Sequence, residues 1–242
     1  MFHPVNQNTV REVDGWTRRV VRLLLPARCL LCAEPGDAGR DLCRDCADAL
    51  PWNHLACPRC AIPLSDAGAW CGQCQRQPPP LSHVHAACVY GFPFDRLVPR
   101  FKFHQDLAAG RLMADLLCAS LADAPRPDAL VPVPLHPSRL RRRGYYQALE
   151  LAKPVARALG IPLLADVLQR VRPTAPQSEL DANARQRNLR QAFALRSGAA
   201  LPKHVVLVDD VMTTGATLNA AAKVLLQAGV ARVDAWVCAR VP

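Results

Sequence analysis

Two sets of residues in this sequence could do chemistry. The first is eight cysteines in four Cys-x-x-Cys pairs: Cys29/Cys32, Cys43/Cys46, Cys57/Cys60 and Cys71/Cys74, whose first members recur every 14 residues. Two thiolates on one tight turn grip one face of a metal ion, and a second such turn completes a tetrahedral site. Four pairs therefore imply two four-cysteine centres holding two structural zinc ions, each also stapling a segment with little core of its own. Sequential grouping (29/32 with 43/46, 57/60 with 71/74) and interleaved grouping both satisfy the spacing. An iron–sulfur cluster would use the same donors. A disulfide framework fits poorly, because nothing in the sequence points to secretion. A redox pair does not explain four equally spaced copies. Cys88, Cys118 and Cys238, the remaining three of eleven, stand in apolar contexts and read as core residues; His54, beside the repeat, is surplus to two filled sites.

The second set lies in VVLVDDVMTTGAT, residues 205–217. An apolar strand ends in Asp209 and Asp210, a short turn follows, and a helix begins. Open α/β sheets bind ligands at that end of a strand. The helix N-terminus offers unpaired N–H groups and partial positive charge to an anion. Thr213, Thr214 and Thr217 add hydroxyl donors, and Gly215 lets backbone approach closely. Two carboxylates beside a phosphate nest suit a phosphorylated ribose, holding its hydroxyls directly or through Mg²⁺. No Walker loop and no G-x-G-x-x-G occurs.

The chain has 242 residues, half of them apolar and 21% charged, which is globular composition sufficient for one or two domains. Its net charge is +10, and residues 96–196 alone carry 17 bases against 8 acids, in runs such as RLRRR (139–143), RVR (170–172) and RQRNLR (185–190). Such a field attracts phosphates, on a small molecule or on nucleic acid. The bases are 26 Arg and only 4 Lys, a bias that genomic composition also produces. Aromatics are scarce at 5%, which argues against base stacking as the main design.

No run of 18 apolar residues occurs, so no membrane insertion is expected. Arg18–Arg19 before VVRLLLP faintly resembles a twin-arginine signal, but Arg22 and Arg28 interrupt the apolar stretch and no cleavage site follows. Leu31 is bulky where a lipid-modified Cys32 would need a small residue. The protein is therefore expected in the cytoplasm.

The elements that must position these residues follow an alternating pattern. Residues 1–26 read as an N-terminal arm with a short helix over 10–24, residues 27–76 as the cysteine module, 77–84 as a stiff Pro-rich linker, and 85–242 as one domain. In the last, strands are expected at 84–92, 129–135, 205–210 and 233–239, and helices at 106–122, 145–160, 178–193 and 216–229. Pro154 should kink its helix or start a new turn. Strand–helix–strand order predicts an α/β fold with a mostly parallel sheet and helices on both faces.

Residues 205–217 resemble the phosphoribosyl pyrophosphate (PRPP) signature of type I phosphoribosyltransferases. With VPVPLHPSRLRRRGYYQALELA (131–152), residues 169–193 and the preceding four-pair cysteine module, the sequence resembles the ComF family of competence-associated proteins, with its double zinc ribbon. The resemblance implies that Asp209 and Asp210 contact ribose hydroxyls, that the loop Thr213, Thr214, Gly215, Ala216 and Thr217 holds the 5-phosphate, and that Val211 and Met212 belong to the same cofactor-binding stretch. It places Lys102 near the pyrophosphate. Arg143, Gly144 and Gln147 match a family R-G-aromatic-N-Q stretch in which Tyr146 replaces Asn; Gln177, Arg185 and Asn188 match a hood pattern over the site, for pyrophosphate or DNA contacts. It further implies Mg²⁺, single-stranded DNA and competence proteins as partners, and a role in natural transformation.

Phosphoribosyl transfer asks the protein mainly for positioning and electrostatic stabilisation. The PRPP-binding half of that apparatus is visible in the sequence; no segment picks a purine, pyrimidine or amine acceptor. Phe2 disfavours a glutamine amidotransferase with an N-terminal cysteine. Three readings stand: a phosphoribosyltransferase, a non-catalytic zinc-ribbon module binding nucleic acid or a partner, and a PRPP-responsive regulator.

Overall fold

The computed structural model describes residues 27–37, 39–66, 68–171 and 192–242. The expected helices at 10–24 and 178–193 lie in whole or nearly so outside these. The chain divides into two compact units, Met1–Asp48 and Ala49–Pro242.

In the first unit the chain makes a cysteine knuckle. The Cys29 N–H donates to the Glu34 carbonyl at 2.8 Å, the Ala33 N–H donates back to Cys29 at 2.9 Å, and Arg28 bridges Pro35. Cys43 immediately precedes helix α1 (Arg44–Asp48), which carries Cys46.

The second unit opens with the same device 28 residues on. The Cys57 N–H donates to Ile62 at 2.9 Å, Ala61 donates to Cys57 at 2.8 Å, and Ala56 bridges Pro63. Ala33 and Ala61 both take left-handed backbone, with φ of 68° and 56°. Helix α2 (Gly72–Arg76) completes the second knuckle.

The rest of this unit is built on a four-stranded parallel sheet of β1 (Val84–Val89), β2 (Ala129–Pro132), β5 (His204–Met212) and β6 (Arg232–Arg240), in the order β1-β6-β5-β2. The strands read as near-continuous apolar runs because both faces are covered. Helices α4 (Leu107–Ser120) and α6 (Gln147–Leu159) pack together on one face, α4 against β1 and β6, α6 against β2 and β5. Helix α7 (Ala216–Gln227) packs against β5 and β6 and against β4 of a small antiparallel pair, β3 (Leu168–Arg170) with β4 (Phe193–Leu195). Two short helices, α3 (Leu97–Phe103) and α5 (Pro137–Arg143), follow β1 and β2.

The edge strand β1 is not bare. Val89 donates to the Pro51 carbonyl at 2.7 Å, Asn53 donates to Ala87 at 3.0 Å, and Leu81 is fully buried in the core beneath. At the other end of the sheet, Asp234 is buried and accepts from Arg232 and from His204 Nε2 at 2.8 Å.

Differences from the sequence expectation are local. The apolar run at 129–135 leaves the sheet at Pro132. No new helix begins at Pro154: α6 runs through it, held by the buried stripe Ala148, Leu151, Ala152, Val155 and Ala156. Cys88 and Cys238 are core residues, whereas Cys118 is half-buried. Helices α3 and α5 were not expected: α3 is one short stretch, and the basic run of α5 has no apolar stripe to betray it. Among the described residues, no helix is long and apolar enough to cross a membrane.

Candidate functional site

The cysteines group sequentially. In each of the sets Cys29/Cys32/Cys43/Cys46 and Cys57/Cys60/Cys71/Cys74, the four Sγ atoms lie within 4.8 Å of one another. Cys32 Sγ is 3.6 Å from Cys43 Sγ, and Cys60 Sγ is 3.6 Å from Cys71 Sγ. Four sulfurs at ~2.3 Å from a tetrahedral zinc stand roughly 3.8 Å apart, far beyond the ~2.05 Å of a disulfide. The backbone supports the thiolates: Cys46 N–H donates to Cys43 Sγ at 3.4 Å, Cys71 N–H to Cys57 Sγ at 3.3 Å, and Cys74 N–H to Cys71 Sγ at 3.5 Å. The donor set fits two zinc ions, and His54 belongs to neither set.

The second site is assembled at the C-terminal edge of the sheet. Along β5 successive side chains alternate in face, so Asp209 and Asp210 cannot point the same way. Asp210 lies on the α4 face, buried at 6% exposure, with Lys102 Nζ of α3 at 3.0 Å from its Oδ1. Its other bond is local, accepting from the Val211 N–H at 2.6 Å. Asp209 shares the opposite face with Leu207 and the β3–β4 pair, and accepts from the Asp210 N–H at 2.9 Å. Burial, then the neighbouring Asp210 charge, pushes the Asp209 carboxyl up to about 7, against the opposing pull of Lys102, the Asp210 N–H and Arg170.

Arg170 is the main residue that sequence reading missed here. In the sequence it is one base in the RVR run; in the structure it is buried at the end of β3, its guanidinium 5.4 Å over the Phe193 ring, within electrostatic reach of Asp209. Tyr146 is a second. Standing where the family motif has Asn, its hydroxyl donates to the Pro132 carbonyl at 2.7 Å and so ties the start of α6 to the end of β2. Neither contact is signalled locally, because each partner comes from a distant strand.

The turn after β5 leaves an anion site open. Gly215 caps α7 with left-handed backbone, φ 74°, and offers no side chain to the first-turn N–H groups. A Cβ there would stand 2.4 Å from Met212 Cε, so Met212, itself buried, packs directly beneath the turn. Thr213 and Thr214 are exposed, Ala216 and Thr217 half-exposed, and Thr214 Oγ1 accepts from the Ala216 N–H at 3.4 Å. A helix start whose cap residue has no side chain, flanked by hydroxyls, is suited to a phosphate.

Other expected residues gather at the same edge. Gly144 ends α5 in left-handed backbone, φ 80°. Arg143 stacks 5.7 Å over the exposed Phe103 ring, and Gln147 is buried in the first turn of α6. Gln177, Arg185 and Asn188 lie outside the described residues. The expected carboxylates, Lys102 and the loop are thus neighbours in space. Asp209 and Asp210 are the donors on hand for Mg²⁺, one of them already paired with a lysine.

Comparison with known proteins agrees with both halves. Residues 20–75 match the double zinc ribbon domain family, and residues 146–242 match the phosphoribosyl transferase domain family. The DNA utilization protein YhgH of Salmonella typhi is 36% identical over 228 residues, covering 90% of this chain and 99% of that protein. The Escherichia coli K12 protein of the same name is 34% identical over the same span. Competence protein F of Haemophilus influenzae is 37% identical over 211 residues, covering 84% of this chain and 92% of that protein.

Proposed function

Because the chain belongs to the ComF family, a double zinc ribbon with a phosphoribosyltransferase domain, we propose that it binds PRPP with Mg²⁺ at residues 209–217 and acts in the cytoplasm on single-stranded DNA during DNA uptake or utilization. The observation that carries the ligand assignment is the start of α7 capped by Gly215, which has no side chain, at the turn that follows the Asp209–Asp210 end of β5. The first-turn N–H groups and Thr213, Thr214 and Thr217 hold the 5-phosphate; Asp209 faces the ribose hydroxyls; Lys102 stands ready for the pyrophosphate. Mg²⁺, when bound, neutralises pyrophosphate charge. The names of the relatives support the DNA role, and competence proteins are the expected partners.

The test is a thermal shift with Mg²⁺-PRPP, repeated on Asp209→Asn and Asp210→Asn. A stabilisation lost in Asp209→Asn supports the assignment; no shift in the unaltered protein removes it.

A second reading, direct nucleic-acid binding without catalysis, is favoured by one observation. Phe92 and Phe103 are two-thirds exposed, and each carries a stacked guanidinium, Arg96 at 4.9 Å and Arg143 at 5.7 Å. The sequence argument against base stacking rested on how few aromatics there are, not on where they stand. Binding of single-stranded DNA that weakens steeply with salt would support this reading, and unmeasurable binding at low salt removes it.

A further inference from the structure

We propose that Arg240 is a positioning residue that braces the phosphate loop against the second cysteine cluster, so that metal loading of that cluster sets the order of the loop. This rests on the PRPP reading only for the identity of the ligand.

Arg240 is the last residue of β6 and stands in register with Met212 of β5. Its main chain is fixed: its carbonyl accepts from the Tyr90 N–H at 2.7 Å, and the next residue, Val241, donates to the Met212 carbonyl at 2.9 Å. The side chain then reaches two ways. Nε donates to the carbonyl of Cys60, a ligand of the second cluster, at 2.8 Å, and Nη1 lies 3.4 Å from the Met212 carbonyl and also meets Val241. A guanidinium does this because its donors diverge in a fixed plane; a lysine would satisfy one carbonyl at a time.

Beyond Met212 the chain of contacts is steric. Met212 packs under Gly215 so closely that a single added carbon would collide with it. Met212 also leads into the turn through only two residues, so a shift of its main chain is passed to the turn that caps α7. Cys60 also packs against the core cluster that contains Met212, and beside that contact a cavity of about 560 Å³ opens, lined by Cys60, Cys74, Met212, Thr214, Asn219 and Arg240. The polar brace is the hydrogen-bonded link along its wall.

Charge works in the same direction. Four thiolates around one divalent ion would leave the cluster doubly negative, which favours a guanidinium beside it. An unloaded knuckle loses the geometry that holds the Cys60 carbonyl, and with it one end of the brace.

The test is amide hydrogen exchange over residues 211–218 in the full-length, zinc-loaded chain, beside zinc content and titration with Mg²⁺-PRPP. Arg240→Met should retain two zinc ions, exchange its loop amides at least about tenfold faster, and bind Mg²⁺-PRPP about tenfold more weakly. Arg240→Lys should recover part of both. Cys74→Ser should reproduce the loop effect, and Cys43→Ser, in the first cluster, should not. Loop exchange unchanged in Arg240→Met with both zinc ions bound overturns the proposal. Should Arg240→Met fail to fold, an unchanged loop in Arg240→Lys and in Cys74→Ser overturns it equally. Faster exchange in a protein that never takes PRPP sustains the brace and removes the ligand assignment instead.

Discussion

Lys102 and Asp210 form an ion pair at 3.0 Å whose carboxylate is almost wholly buried. The pair joins α3, which follows β1, to the end of β5, so it holds together two strands that are not adjacent in the sheet. Removing one member leaves a buried charge without its partner. Lys102→Met should therefore cost about 2–4 kcal/mol. Adding Asp210→Asn should return a good part of that, because the stranded charge is then gone. A urea double-mutant cycle reads the coupling; additivity within about 0.5 kcal/mol would show the pair to be energetically idle.

Gly215→Ala tests the turn. The left-handed backbone disfavours any side chain, and the new carbon meets Met212 Cε. A loss of about 1–2 kcal/mol is expected, with weaker phosphate binding. Calorimetry in the presence and absence of inorganic phosphate measures both; an unchanged melting temperature would contradict the left-handed turn described.

The acid limb of stability should depend on His85. Its Nε2 is 2.9 Å from Ser120 Oγ, whose proton is given to the Leu117 carbonyl at 2.8 Å, so Nε2 carries a hydrogen. Burial, and then the charge of His83, lowers its pKa from 6.5 to about 4. The unfolded chain takes up a proton as pH falls through about 6.5, while the folded chain resists until about 4; this contribution is whole above the first value and lost progressively down to the second. The cost should reach about 2 kcal/mol between about pH 7.5 and about pH 5. His85→Gln, which retains a donor for Ser120, should flatten that limb in urea titrations; an identical slope would assign the acid sensitivity elsewhere.

Metal content gives the simplest count. The full chain should bind two zinc ions, and Cys32→Ser or Cys71→Ser should each leave one, because the two sets share no ligand. Optical spectra lacking visible thiolate–iron bands would exclude the iron–sulfur alternative.

What the sequence made legible was whatever is written locally. The unbroken β-branched run of β5, the acids at its end and the Thr-Thr-Gly turn stand in one stretch, and that stretch folds as expected. The cysteine spacing announced two metal sites but not their grouping, since either pairing brings two knuckles together. The limits came from distance along the chain. Arg240 and Cys60 are 180 residues apart, and Lys102 meets Asp210 only once α3 has docked beside β5. Arg170 looked like one base among many, because nothing near it in sequence records that β3 will bury it.

The strip of chain at Pro51–Asn53 that seals β1 decides where this protein can be cut. A fragment starting at the head of β1 would have a raw sheet edge and an empty slot where Leu81 belongs, an invitation to edge-to-edge aggregation. The shortest piece that carries its own closed sheet begins ahead of residue 51 and brings the second knuckle with it.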